Sequence, residues 1–230
     1  MPELRGQGEA VGILGGTFDP VHLAHVALAR VAADRLGLSR VVWIPAGQPP
    51  HRAPPRAAPE HRLAMARLAT SGDARFTVDP SEVASTAPSY TVHTLERLRA
   101  QYGPTTPLVL LMGADALRGL ANWYRWRELF GLAHIGVATR PGFPLENLDG
   151  SVAAEFSRRR ATDVPRGFPS VIDFRGSPGG SILPFELVAG TVSATEVRGL
   201  LAVAAPRAQL LELLPAPVVD YIVQHSLYRH

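Results

Sequence analysis

Two imidazoles, His22 and His25, stand three residues apart at the head of an Ala/Leu/Val-rich stretch, directly after Gly15-Gly16-Thr17-Phe18-Asp19-Pro20. A short apolar run, Val11 to Leu14, stops at the two glycines. A strand that ends at glycines and feeds a helix leaves backbone N–H groups free at the helix start. The helix dipole favours negative charge there too, so such a junction attracts phosphate. His22 and His25 add two donors that can be cationic. Two other readings exist. Glycines before a helix also describe a plain strand–turn–helix with a partly buried histidine pair. The spacing admits zinc as well, but no third ligand is evident nearby and the chain has no cysteine, so no metal site is assigned.

The second candidate is Val192-Ser193-Ala194-Thr195-Glu196-Val197-Arg198. Ser193 and Glu196 have the spacing of a capping box, which starts a helix without any ligand. The same helix start, with hydroxyls at Ser193 and Thr195 and Arg198 one turn in, can hold triphosphate oxygens.

These groups need a scaffold, and the chain alternates strand and helix to build one. Strand patterns fall at about 11–15, 41–45, 75–79, 108–112, 133–139 and 183–187. Helical patterns fall at about 22–36, 60–70, 91–101, 115–130, 194–202 and 217–225. Residues 141–182 are rich in Pro, Gly, Arg and Ser and read as a surface excursion with one short helix near 151–160; a small helical part begins at about 192. The alternation predicts an α/β fold, a Rossmann-like open parallel sheet with helices on both faces. Ligands of such sheets sit beyond the carboxyl ends of the strands, here Gly15, Gly113-Ala114-Asp115 and Arg140.

Composition removes several chemistries. The chain has 230 residues, 46% hydrophobic and 19% charged, enough for a core in one domain or one domain with a large insertion. It lacks cysteine and lysine: all 23 basic residues are arginine. Disulfides, thiol nucleophiles, Schiff bases and a Walker A lysine are therefore excluded. A net charge of +3 does not call for nucleic acid, and Arg158-Arg159-Arg160 reads as a solvated surface. No apolar run is long enough to span a membrane, and MPELRGQGEA is not a signal peptide, so the expected compartment is the cytoplasm, with no membrane partner.

Gly15, Gly16, Thr17, Phe18, Asp19, Pro20, His22 and His25 match the G-G-T-F-D-P-x-H-x-G-H signature of a nucleotidyltransferase superfamily; the glycine between the histidines is Ala24 here, whose methyl takes room beside the phosphates. Val192 to Arg198 is similar to that family's I-S-x-T-x-x-R. Pro49-Pro50-His51-Arg52, Ser89-Tyr90-Thr91, Asn122-Trp123-Tyr124, Gly113-Ala114-Asp115, Arg140-Pro141-Gly142 and Leu227-Tyr228-Arg229 follow in the family's order. The chain resembles the bacterial nicotinate-nucleotide adenylyltransferases from residue 12 to residue 229.

The resemblance implies a single nucleotidyltransferase domain over 1–230 that joins ATP and nicotinate mononucleotide, with Mg²⁺ carried on ATP. A phosphate is already an anionic nucleophile, so no general base is needed, and no Ser-His-Asp set or carboxylate pair is present. The implied catalytic residues are His22, His25 and Arg198. ATP would meet Gly15, Gly16, Thr17, Phe18, His22, His25, Asp115, Ser193, Thr195 and Arg198. The pyridine nucleotide would meet Gly16, Thr17, His51, Arg52, Tyr90, Thr91, Trp123, Tyr124 and Arg140. Locally, Ser89-Tyr90-Thr91 and Asn122-Trp123-Tyr124 each read as helix starts, and Tyr228 as packing. Nicotinamide mononucleotide and a pantetheine-phosphate type of acceptor remain as alternatives, and a homo-oligomer is compatible with the sequence. A dinucleotide-binding dehydrogenase is disfavoured, because GGTFDP replaces G-x-G-x-x-G and Pro45-Ala46 stands where an acidic residue would end the second strand.

Overall fold

A computed structural model describes residues 9–49, 54–139, 145, 148, 150–161, 174–188 and 192–229. Six strands form one sheet: β1 (Val11–Gly16), β2 (Arg40–Pro45), β3 (Phe76–Val78), β4 (Leu108–Gly113), β5 (His134–Thr139) and β6 (Ile182–Glu186). Their order is β3-β2-β1-β4-β5-β6, with β1–β4, β4–β5 and β5–β6 parallel. The expected open α/β sheet is thus present, and its chain order reverses at β1 and β4. In such sheets the reversal is where ligands gather. β4 is buried along Leu108–Met112, which is why it reads as an unbroken apolar run.

Helices α1 (Leu23–Leu36), α2 (Pro59–Thr70), α3 (Thr91–Tyr102), α6 (Gly150–Arg159), α7 (Ala194–Ala202) and α9 (Ala216–Gln224) fall where the periodicity puts them. In α3 the buried residues include Val92, Leu95 and Leu98, the positions at core spacing. The stretch 115–130 differs from the expected single helix. It breaks into α4 (Ala114–Arg118), two 3₁₀ turns (Leu120–Asn122 and Trp126–Glu128) and α5 (Leu129–Leu132). Trp123 is extended (φ −80°, ψ 141°) and Arg125 is left-handed (φ 52°), so Asn122-Trp123-Tyr124 ends a turn and does not start a helix. Helix α8 (Arg207–Leu211) was not signalled by the sequence. No helix of the described residues is long and apolar enough to cross a membrane.

The chain clusters into two compact units. The first draws on Met1–Leu14, Ala29–Val41 and Tyr90–Val188, the second on Gly15–Leu28, Val42–Ser89 and Ala189–His230. In the first unit, His134 is fully buried on β5 with both ring nitrogens paired, Nε2 to Ser177 O and Nδ1 from Ser181 N–H. That pairing lets an imidazole sit in a central strand. Gly136 on β5 leaves room for Leu111, Val109 and Leu36: a Cβ there would lie 2.9, 3.1 and 3.3 Å from their side chains. In the second unit the aromatic core is Phe18, Trp43 and Phe76, with centroids 5.3 Å apart for the first pair and 5.8 Å for the second.

Gly136→Ala should lower the unfolding free energy by about 1–3 kcal/mol, the usual cost of overpacking. Urea denaturation followed by circular dichroism measures it; an unchanged midpoint would show that Leu111 and Leu36 yield freely.

Candidate active site

The second unit holds the histidine motif. β1 ends at Gly16, whose carbonyl accepts the Ala46 N–H at 2.9 Å. The chain then turns through Phe18 in the left-handed region (φ 52°). The Phe18 ring is 2% exposed. It meets His25 edge-on, centroids 5.1 Å apart at 87°, and so backs the imidazole rather than facing a ligand. His22 and His25 stack at 3.7 Å with 25° between their planes. The His22 backbone N–H donates to Nδ1 of His25 at 3.2 Å, which leaves Nε2 as the nitrogen of His25 that carries hydrogen. His22 is 7% exposed, and its Nδ1 is buried with no hydrogen-bond partner among the described residues.

This differs from the cationic pair expected from sequence. Burial pushes the His22 pKa down to about 4, so the ring is neutral at neutral pH. The helix start is also less open than expected. The Leu23 N–H donates to Leu213 O at 2.8 Å and the His25 N–H to His22 O at 3.0 Å. Side chains, more than bare amides, are what this turn offers an anion.

The second motif reaches the same turn. Ser193 caps α7 by accepting the Glu196 N–H at 3.1 Å, so the capping reading holds. Arg198 Nη2 donates to Thr195 Oγ1 at 3.2 Å, and Nη1 donates to the Asp19 carbonyl at 2.8 Å. Both hydroxyl residues are exposed and Arg198 is half-buried.

Asp19 and Arg62 hold this turn from beneath. Asp19, 6% exposed, accepts N–H from Arg56 (2.8 Å) and Ala57 (3.0 Å) and the Tyr228 O–H (2.8 Å). Arg62, on α2, has no exposed surface. Its guanidinium donates to four carbonyls: Ala57 (3.2 Å), Thr17 (2.8 Å), Ala46 (2.5 Å) and Gly47 (3.0 Å). Burial lowers its pKa, a shift that the charge of Asp19 opposes. The sequence pointed to neither Arg62 nor the Arg56 and Ala57 amides, and it marked Tyr228 as packing, not as a partner of Asp19. Arg62 did leave a signal: with Met65, Ala66 and Thr70 it forms the buried stripe of α2, a charge at core spacing.

The first unit brings together three aromatic rings. Tyr90 and Tyr124 lie 4.6 Å apart, and His93 stands 5.9 and 5.8 Å from them. Tyr124 is 48% exposed and Trp123 half-buried. Thr91 is half-buried at the first turn of α3. Ser89, in the second unit, does not cap that helix; its Oγ accepts the Gly47 and Gln48 N–H groups at 3.0 and 3.3 Å. Asp115 is exposed at the start of α4 and pairs with Arg118. His51, Arg52, Arg140, Pro141 and Gly142 lie outside the described residues.

The chain matches the cytidylyltransferase-like family over residues 13–199. A "Probable nicotinate-nucleotide adenylyltransferase" of Dechloromonas aromatica is 52% identical over 224 residues, 96% of this chain and 99% of that protein. One of the same name from Laribacter hongkongensis is 46% identical, covering 96% and 94%. The chain belongs to the nicotinate-nucleotide adenylyltransferase family. A Plasmodium falciparum nicotinic acid mononucleotide adenylyltransferase complexed with NaAD shares the fold, with a TM-score of 0.67 at 14% identity over 96% of this chain and 97% of that one. In this member of the nicotinate-nucleotide adenylyltransferase family the buried His22 ring is neutral at neutral pH, so it can offer a hydrogen bond but not a fixed charge.

The low pKa of His22 has a consequence for the fold. The unfolded chain binds a proton at this ring below pH 6.5, whereas the folded chain does so only below about 4. Stability is therefore lost as pH falls through that window, by about 2 kcal/mol at pH 5. Unfolding free energies of the native chain and His22→Gln, compared at pH 7 and pH 5, should differ by that amount between the two pH values. Parallel pH profiles would mean that His22 protonates without resistance.

Proposed function

We propose that this enzyme transfers the adenylyl group of ATP to nicotinate mononucleotide. The mononucleotide 5′-phosphate oxygen attacks the α-phosphorus, the bond to the bridging oxygen breaks opposite to it, and pyrophosphate departs with the bond electrons. The products are deamido-NAD and pyrophosphate, and no proton need be removed from the nucleophile. The observation that carries the reading is the stacked His22–His25 pair, with the buried Nδ1 of His22 lacking a partner among the described residues, in the same compact unit as Arg198 and its Asp19 contact.

The work required is alignment of two anions and stabilisation of charge on the transferring group. His22 and His25 donate to the ATP phosphates. Gly15 and the Phe18 backbone border them, and Gly16 and Thr17 hold the incoming phosphate. Ser193, Thr195 and Arg198 take the β- and γ-phosphates. Asp115 accepts from a nucleotide hydroxyl or amide. Tyr90, Thr91, Trp123 and Tyr124 take the pyridine nucleotide, with His51, Arg52 and Arg140 assigned the same task. The Tyr90–Tyr124 pair supports a flat-ring subsite in the first unit.

The donors near the histidines are nitrogens and hydroxyls, and the Asp19 carboxyl already has three partners. Among the described residues no three His, Asp or Glu converge as metal ligands. Such a set fits Mg²⁺ held by phosphate oxygens and water, with Ser193, Thr195 and Arg198 gripping the triphosphate that bears it. Bound there, the metal would neutralise charge on the departing pyrophosphate.

Pyrophosphate release with ATP and nicotinate mononucleotide, nicotinamide mononucleotide or phosphopantetheine tests the reading. The highest kcat/KM should belong to nicotinate mononucleotide; no release with either pyridine nucleotide would refute it. His25→Ala should lower kcat about 10²–10³-fold with the fold intact, the usual loss for one preorganised donor. A kcat near that of the native enzyme would remove His25 from the chemistry.

A further inference from the structure

We propose that the hydroxyl of Tyr228 is a positioning group for adenylyl transfer, acting through Asp19 on the turn that carries His22 and receives Arg198. The inference rests on the function proposed above. As a packing residue Tyr228 needs only its ring, and phenylalanine would serve. Its O–H instead donates to Asp19 Oδ1 at 2.8 Å, with Tyr228 7% and Asp19 6% exposed. The same oxygen accepts the Ala57 N–H, and Oδ2 accepts the Arg56 N–H. The other end of the residue is held too: Arg198 Nη1 donates to the Asp19 carbonyl at 2.8 Å. One residue therefore joins the end of the chain, the approach to α2 and the arginine of α7, three residues ahead of His22.

The backbone supports this account. Phe18, Ser226 and Tyr228 all have left-handed φ values, 52°, 51° and 66°, a conformation that residues with a Cβ seldom adopt. The tail turns back on itself in this way and brings the phenol to Asp19. Burial and the neighbouring Asp19 raise the Tyr228 pKa, so the hydroxyl keeps its hydrogen and remains a donor. Without it, Oδ1 retains, among the described residues, the Ala57 amide alone in a buried site. The carboxyl then settles elsewhere, and the carbonyl of the same residue moves with it. Arg198 and His22 lose their common reference, and small misplacements of aligning groups are costly in rate.

The test is steady-state kinetics of Tyr228→Phe with ATP and nicotinate mononucleotide, well below the melting temperature. Expected are a fall in kcat of about tenfold, the loss typical of one hydrogen bond to a charged group, and a raised KM for ATP. KM for the mononucleotide should rise less than KM for ATP, because its ring subsite, Tyr90 and Tyr124, belongs to the other compact unit and only its phosphate meets this turn. Asp19→Asn should give the same pattern, and the double variant should lose no more than Asp19→Asn alone. Native kcat and ATP KM in a folded Tyr228→Phe, or losses that simply add, overturn the proposal. If Tyr228→Phe does not fold, a folded Asp19→Asn decides by the same criteria; unfolding of both assigns the network to the fold alone and overturns it. An inactive native enzyme would instead contradict the proposed function.

Discussion

A guanidinium with no exposed surface needs partners on every side, and Arg62 finds them in four backbone carbonyls. Loss of hydration for such a group costs several kcal/mol unless hydrogen bonds replace it. The carbonyls belong to Thr17 after β1, to Ala46 and Gly47 after β2, and to Ala57 before α2. Loops are ordinarily the loosest parts of a domain. Here two of them and a helix approach supply the partners of one buried cation, so none can move without leaving an N–H unpaired. Asp19 imposes the converse condition, because its oxygens need donors, and those come from Arg56, Ala57 and Tyr228. The turn that carries the histidines is stiff because two buried charged side chains are satisfied through it.

That stiffness bears on how the site treats an anion. His22 is neutral, and a second imidazole lies 3.7 Å away. A neutral donor held in a dry, preorganised site still stabilises charge that develops on a phosphate, because little reorganisation is needed when the charge forms. Beside the buried Arg62, whose donors are taken by carbonyls, Arg198 brings a half-buried positive charge to the turn, and its guanidinium is fixed by Asp19 and Thr195. Under the proposed function, the histidines would supply position and Arg198 charge.

What the sequence disclosed follows from how each feature is encoded. Strands such as Leu108–Met112 read clearly because burial along the whole strand leaves an apolar run. Helices α1, α3 and α7 carry periodic apolar positions and, for α7, a cap. The 115–130 stretch misled because its composition is helical throughout while its backbone is interrupted: Gly119 closes α4, Trp123 is extended and Arg125 left-handed, and neither of the last two residue types announces a break. The charge state of His22 was hidden for another reason. Its low pKa comes from burial, which depends on side chains brought over it by the fold. Asp19 was visible as a motif residue, yet its carboxyl partners are two backbone amides, which leave no local pattern, and a tyrosine 209 residues away, whose own motif does not say what its hydroxyl meets. Arg62 was legible in principle, since a charge among Met65, Ala66 and Thr70 on a buried stripe demands a partner.

Ser193 and Thr195 illustrate how two readings of one motif coexist. A hydroxyl has two acceptor lone pairs and one hydrogen. Ser193 accepts the Glu196 N–H, and Thr195 accepts from Arg198, so each uses a lone pair within the protein. Those contacts do not consume the hydroxyl hydrogens. The lone-pair contacts fix where each oxygen sits, and a fixed oxygen loses less entropy when its O–H meets a ligand. Under the proposed function, Ser193 would cap α7 through a lone pair and meet phosphate through its hydrogen, while Thr195 would hold Arg198 through a lone pair and meet phosphate in the same way.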